Sequence, residues 1–308
     1  MSPDQLQDAL CDVGFTLPTP FSEDRTRVRY DQIEEHVTAL QDAGARLFIP
    51  CGNTGEYYSL DHDERVEVVS RTVQTAGAES TVIGGVGGSA KTAKALIEAY
   101  ESAGVDSVMV MHPSHVYTNG AGLLDYYDEL LSATDLGVVI YKRGPEISSE
   151  LLAKLSSYDT VVGVKYAEND IHAFSEAVDS SPGEVVWING IAERFAPAFA
   201  LEGAVGFTTG IGNFVPEATL SLFDALSENE WERARRIRNM LRPYENLRQE
   251  SVGGVQYASA KNVPAVKFGM ELRGWYGGPV RPPLRDLSST DEERATERYE
   301  QIATAPAQ

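Results

Sequence analysis

Hydrophobic positions in this chain switch between two periods, and the switching repeats. Short apolar runs read as strands, and each is followed by a longer stretch in which apolar residues recur every three or four positions, as on one face of a helix. After a helix predicted at Pro3–Leu10, the first such unit is the strand Val13–Pro18, closed by Thr19-Pro20-Phe21, and the helix Tyr30–Ala43. That helix carries Ile33, Val37 and Leu40 at helical spacing and stops at Gly44. The unit recurs as Leu47–Cys51 with Asp61–Thr75, Thr81–Val86 with Ala90–Ala103, Ser107–Met111 with Gly122–Thr134, and Gly137–Tyr141 with Ser149–Ser157. It continues as Val161–Tyr166 with Ile171–Val178, Val185–Asn189 with Glu193–Leu201, and Val205–Thr208 with Pro216–Leu226, giving eight units.

A helix between consecutive short strands makes the crossover that parallel pairing requires, so eight units predict a closed (β/α)8 TIM barrel. The competing doubly wound sheet lacks its signature: no Gly-x-Gly-x-x-Gly follows the first strand, and the Gly84-Gly85-Val86-Gly87-Gly88 run has no phosphate-loop lysine downstream. Those glycines are expected only to permit a tight turn after the third strand. Beyond Glu228, helical periodicity over Glu230–Arg248, Val263–Leu272 and Asp291–Ala303, with the Gly- and Pro-rich loop Gly274–Leu287, predicts a C-terminal helical extension. The barrel is thus assigned to residues 1–228 and the helical segment packed on it to 229–308, as one functional unit.

Composition narrows the function classes. The 308 residues carry 46 acidic against 26 basic side chains, a net charge of −20, which argues against nucleic acid and anionic membranes as partners. Apolar runs are too short to span a bilayer, and the N-terminus has no basic region leading into an apolar one, so a cytoplasmic protein is expected. Seven of the basic residues are lysines; a carboxylate-rich, lysine-poor surface suits a salt-rich cytoplasm. Cys11 and Cys51 form no disulfide framework and fit a reducing compartment.

Active sites of such barrels lie at the C-terminal ends of the strands. The sixth strand ends in Lys165, a lone cation in the run Thr160-Val161-Val162-Gly163-Val164-Lys165-Tyr166-Ala167. Desolvation would lower its pKa and free the amine to attack a carbonyl, with Gly163 leaving room beside it; the alternative is a strand-end lysine reaching solvent. The fifth strand ends in Tyr141, a phenol placed to shuttle protons for a neighbouring amine. After the second strand, Gly52-Asn53-Thr54-Gly55-Glu56 offers backbone N–H groups, an amide and a hydroxyl to a carboxylate. His112 and His115 share a short loop with Tyr117, but no further ligand pattern accompanies them and no metal is expected. His36, His62 and His172 fall on predicted helices or their starts, where solvated surface is expected.

Together, Gly52-Asn53-Thr54-Gly55-Glu56, Tyr141 and Val161-Val162-Gly163-Val164-Lys165 resemble the dihydrodipicolinate synthase / N-acetylneuraminate lyase superfamily of class I aldolase barrels. The resemblance runs from Thr19-Pro20-Phe21 to Gly278-Pro279-Val280-Arg281-Pro282-Pro283-Leu284. It implies a Schiff base on Lys165 with a 2-keto acid, a proton relay through Tyr141 and a substrate carboxylate held at Asn53-Thr54 beside Gly52. It further implies that Thr208, Gly190, Tyr117 and His115 line the substrate site, that no cofactor is used beyond the covalent imine, and that the assembly is a homotetramer, a dimer of dimers. Departures count against a synthase. Asn53-Thr54 stands for a pair of threonines, Ser114-His115 for a pair of tyrosines, and Lys142-Arg143-Gly144-Pro145 for the segment usual after the tyrosine. The run Gly206-Phe207-Thr208-Thr209-Gly210-Ile211-Gly212-Asn213-Phe214-Val215-Pro216-Glu217 looks closer to the dehydratase branch, as in 5-dehydro-4-deoxyglucarate and 2-keto-3-deoxypentonate dehydratases. Dehydration of a 2-keto-3-deoxy sugar acid, with a pentonate favoured, is the expected activity. Retro-aldol cleavage through the same imine is the alternative, and a non-catalytic sugar-acid-binding barrel is a remote third.

Overall fold

A computed structural model describes residues 1–113, 117–182, 184–251 and 259–305. Among them, eight strands close a barrel in chain order, each parallel to the next and the last to the first. They are β1 (Val13–Thr16), β2 (Leu47–Ile49), β3 (Thr81–Gly87), β4 (Ser107–Met111), β5 (Gly137–Lys142), β6 (Val161–Tyr166), β7 (Val186–Asn189) and β8 (Gly206–Thr209). A leading helix, α1 (Pro3–Leu10), precedes the barrel. Crossovers are α2 (Tyr30–Asp42), α3 (His62–Ala76), α4 (Ala90–Ala103), α5 (Gly120–Leu131), α6 (Ser149–Leu155), α7 (Ile171–Ser180) and α8 (Ala196–Leu201), with α9 (Pro216–Ser227) following β8. The fold is the expected TIM barrel with C-terminal helices.

Local chemistry sets the helix boundaries. Ser2 with Gln5, and Asp61 with Glu64, form capping boxes, and Ser89, Asn119, Ser148 and Asp170 accept from backbone N–H groups of the first turn. Gly104 ends α4 in the left-handed region at φ 87°.

At the N-terminal mouth, α1 closes the barrel: a Cβ on Gly137 would stand 2.6 Å from Leu6 Cδ1, and one on Gly163 3.0 Å from Leu10 Cδ1. These strands are bare there because the leucines of α1 occupy the space. The Gly84-Gly85-Val86-Gly87 run differs from expectation. It lies inside β3 rather than after it, and a Cβ on Gly85 would come within 2.6 Å of the Cys51 carbonyl carbon. Its glycines let the chain leaving β2 rest directly on β3.

His36 also departs from the reading. It is buried on the inner face of α2, its Nε2 3.0 Å from Asn213 Oδ1 and its ring edge-on to Trp275, and burial lowers its pKa to about 4. The sequence places it three residues after Ile33, on the apolar stripe itself. His62 and His172 are exposed as expected.

Helices α10 (Trp231–Arg248), α11 (Asn262–Arg273) and α12 (Ser289–Ala303) share the barrel's hydrophobic core through Leu241, Tyr244, Met270 and Ile302. Tyr244 packs its ring 4.8 Å from that of Phe214 and donates to the Ala265 carbonyl at 2.8 Å. No helix among the described residues is long and apolar enough to cross a membrane.

Candidate active site

Parallel pairing sets Tyr141 of β5 directly beside Lys165 of β6. Both are buried, 6% and 5% exposed, and Lys165 Nζ lies 4.5 Å from the centre of the Tyr141 ring. The lysine does not reach for solvent. Burial pushes its pKa below the ordinary value, the neighbouring phenol opposes that shift, and the Arg143 charge adds to it. The amine is thereby biased toward its neutral, nucleophilic form.

Tyr141 is shifted in the complementary sense. Burial alone would raise its pKa, but Lys165 and Arg143, with hydrogen bonds from Arg143 and Asn53, outweigh burial and bring the phenol below its ordinary value. Asn53 Nδ2 donates to Tyr141 Oη at 3.2 Å and Arg143 Nη1 donates to it at 3.4 Å. Both neighbours give protons to the phenol oxygen and neither takes one. The environment therefore favours the phenolate and offers the Tyr141 proton no acceptor among the described residues.

The loop after β2 brings Asn53 to this point. Thr16 Oγ1 is 2.5 Å from the Thr209 carbonyl and 3.1 Å from Thr54 Oγ1. A carbonyl only accepts, so the single Thr16 proton goes to Thr209 and the Thr54 hydroxyl is committed to Thr16. What Thr54 has left to donate to a ligand is its backbone N–H; its Oγ1 retains lone pairs only. Glu56, in the left-handed region at φ 54°, fastens the loop at its other end: Lys267 Nζ lies 2.6 Å from Glu56 Oε1, and the Arg281 N–H donates to Glu56 Oε2 at 2.9 Å.

Other expected site residues fall as follows. Gly52 is buried against Met109, and its carbonyl accepts from the Tyr57 N–H at 3.3 Å. Thr208 is buried on β8 against Gly14 of β1. Gly190 donates to the Tyr166 carbonyl at 2.7 Å, and a Cβ there would stand 2.8 Å from that of Ala167, so it allows β7 and β6 to end in close contact. Tyr117 is 85% exposed. His115 lies outside the described residues. His112 is buried with its Nε2 3.8 Å from Glu146.

A cleft of about 440 Å³ opens outward from Tyr141; Asn53, Tyr58, His112, Arg143 and Asn262 are among its walls. Arg143 and Asn262 were not anticipated as site residues. Arg143 stands just past the end of β5, two residues after Tyr141, a position the strand pattern does not reach. Asn262 comes from the C-terminal helices, where periodicity alone gives no link to a barrel rim. Behind β8 lies a further buried group: Glu193 Oε1 accepts from Thr219 at 3.1 Å and from Thr209, and Arg248 pairs with Glu245. Burial, reinforced by Glu245, pushes the Glu193 carboxyl up to about 7.

Comparison with known proteins bears on this amine–phenol site. A solved dihydrodipicolinate synthase from Oceanobacillus iheyensis superposes with a TM-score of 0.93 at 30% identity, covering 99% of this chain and 100% of that one. An uncharacterized DapA-like lyase of Halobacterium salinarum is 33% identical over 268 residues, 85% of this chain and 84% of that protein. A probable 5-dehydro-4-deoxyglucarate dehydratase of Corynebacterium glutamicum is 28% identical over 295 residues, 94% of this chain and 91% of that protein. The family model described as the dihydrodipicolinate synthetase family matches residues 12–302, from the first strand to the last helix. With a parallel eight-stranded barrel and a lysine beside a tyrosine on adjacent strand ends, this chain belongs to the dihydrodipicolinate synthetase family of lyases.

Proposed function

We propose that the chain dehydrates a 2-keto-3-deoxy sugar acid through an imine on Lys165, with no cofactor beyond that covalent bond. The favoured substrate is a 2-keto-3-deoxypentonate, such as 2-keto-3-deoxyxylonate or 2-keto-3-deoxyarabinonate, and the product 2-oxoglutarate semialdehyde. The observation that carries the reading is that, among the described residues, the hydrogen bonds at Tyr141 Oη come only from donors. In this mechanism the Lys165 amine condenses with the C2 ketone, releasing water. The imine acidifies C3; loss of a C3 proton and departure of the C4 hydroxyl as a second water follow, and Tyr141 supplies or receives the proton directly. A proton then moves from C5 to C3, the resulting C4–C5 enol passes its hydroxyl proton to C4 and becomes the aldehyde, and hydrolysis of the imine returns the amine. The net change is the loss of one water. Asn53, an amide where the synthases have a threonine, gives Tyr141 a donor and no relay, which supports proton exchange with substrate over a chain of hydroxyls. The His112-Pro113-Ser114-His115-Val116-Tyr117 run supports the pentonate. A cytoplasmic homotetramer built from two dimers is part of the same reading.

Incubation with 2-keto-3-deoxyxylonate tests it. A semialdehyde oxidised by an added dehydrogenase is expected; pyruvate with glycolaldehyde would instead mean aldol cleavage. Borohydride treatment with pyruvate should leave a mass adduct on Lys165, and its absence would overturn the imine.

A further inference from the structure

The cleft wall opposite the barrel rim contains one polar side chain whose orientation is dictated from behind. Arg248 Nε and Nη2 both donate to Asn262 Oδ1, at 3.0 and 2.6 Å. A guanidinium has no acceptor, so the atom facing it must be the amide oxygen. The Asn262 NH2 group is therefore turned away from Arg248, and it makes no hydrogen bond among the described residues. Asn262 lines the same cleft as Asn53, Tyr141 and Arg143.

Arg248 is itself held rigidly. It is 4% exposed and ion-paired with the buried Glu245, and its guanidinium lies so close over Gly210 that a Cβ there would stand 2.7 Å from Cζ. Gly210 directly follows β8, so the amide of Asn262 is aimed by the barrel even though it belongs to the C-terminal helices. Beside it, Ser259 also lines the cleft; its carbonyl accepts from the Asn262 N–H at 3.0 Å, and its hydroxyl donates to Gln249 Oε1 at 2.9 Å. With that proton committed, Ser259 Oγ presents lone pairs only.

We infer that Asn262 and Ser259 form a subsite for the hydroxyl-bearing tail of the substrate, remote from the imine carbon. An N–H donor next to a hydroxyl acceptor matches an alcohol, which both gives and takes a hydrogen bond, and matches a second carboxylate poorly, since a carboxylate only accepts. The subsite thus selects a neutral polyol tail over a diacid, and it rests on the sugar-acid reading above.

The test separates the two. Asn262→Asp keeps an oxygen for Arg248 and removes the N–H donors; Asn262→Ala removes the whole amide. Each variant is assayed for kcat/KM on 2-keto-3-deoxyxylonate and for the rate of borohydride trapping with pyruvate, which has no tail, alongside thermal melting. Expected is a loss of about tenfold in kcat/KM, carried by KM, corresponding to one net hydrogen bond, with pyruvate trapping unchanged. Unchanged kcat/KM in both variants would overturn the subsite and leave the imine mechanism standing. A parallel fall in pyruvate trapping would also overturn it, by making Asn262 a support of the lysine. If the native enzyme itself fails to trap pyruvate, the underlying reading falls and the subsite with it.

Discussion

Replacing Lys267 by methionine tests how the C-terminal helices hold the loop that carries Asn53. The Lys267 and Glu56 side chains are 2% and 0% exposed and their charged atoms are 2.6 Å apart, though Glu56 Oε1 lacks a well-aligned hydrogen bond. Lys267 also donates to the Pro279 carbonyl at 2.8 Å and sits 4.4 Å from the centre of the Phe21 ring. Burial is the largest influence on both partners, holding the lysine below its ordinary value and the carboxyl above its own despite their attraction. Both shifts oppose the charged forms, so the pair recovers only part of what desolvation takes.

Two magnitudes follow. Lys267→Met leaves Glu56 with the Arg281 N–H and, for counter-charge, only the Arg281 guanidinium, which is itself paired with Glu64, a loss of about 3–5 kcal/mol. The double variant Lys267→Met/Glu56→Gln keeps an acceptor for Arg281 and buries no charge, and should lose only about 1 kcal/mol. The single variant should also become more strongly pH-dependent. With Lys267 gone, the folded-state pKa of Glu56 stands further above its ordinary 4.5. Stability is then greatest below that value and falls as pH rises, by at most about 1.4 kcal/mol per pH unit. Urea unfolding of all three proteins at pH 5 and pH 8, with m compared throughout, measures this. A loss below about 1 kcal/mol for Lys267→Met at pH 8, or a double variant no more stable than the single, would refute the reasoning.

Three further outcomes are expected. Arg143→Met removes a charge that lowers both Lys165 and Tyr141, so the limb of the pyruvate-trapping rate that reports neutral Lys165 should move to higher pH; an unmoved limb would show that Arg143 does not act on the amine. Glu193, raised to about 7, contributes stability that is full below its ordinary 4.5 and is lost as pH climbs toward 7. Glu193→Gln, which retains an acceptor for Thr209 and Thr219, should flatten the fall in stability over that window, and an unchanged slope would assign it to other groups. With a net charge of −20, the melting temperature should climb steeply with KCl if the surface is adapted to salt; indifference to KCl would dismiss that adaptation.

The alternation of periods made the barrel legible because each strand and crossover carries its own pattern, independent of distant partners. Lys165 was legible for the same reason: one cation in an apolar strand is a local anomaly. Lys267 is just such an anomaly, inside Val263-Pro264-Ala265-Val266-Lys267-Phe268, but its partner Glu56 lies across the fold and no local pattern joins them. His36 is polar, which points outward, but its spacing from Ile33 puts it on the apolar stripe, and the spacing wins because Asn213 supplies a buried partner. Arg143 and Asn262 escaped notice because the cleft is assembled from a loop past a strand end and from helices that the barrel count leaves out.

The leucine-bearing helix beneath the barrel has a consequence for the order of events during synthesis. Its residues emerge well before Gly137 and Gly163, which build the bare floor they cover. The stopper is made before its opening, so Leu6 and Leu10 find this seat only once the strand carrying Lys165 has been added. In a chain shortened by that helix, the space that Leu6 and Leu10 fill beside Gly137 and Gly163 would lie open beneath the lysine. The dryness of the amine would then fail from below, at the end of the barrel farthest from its chemistry.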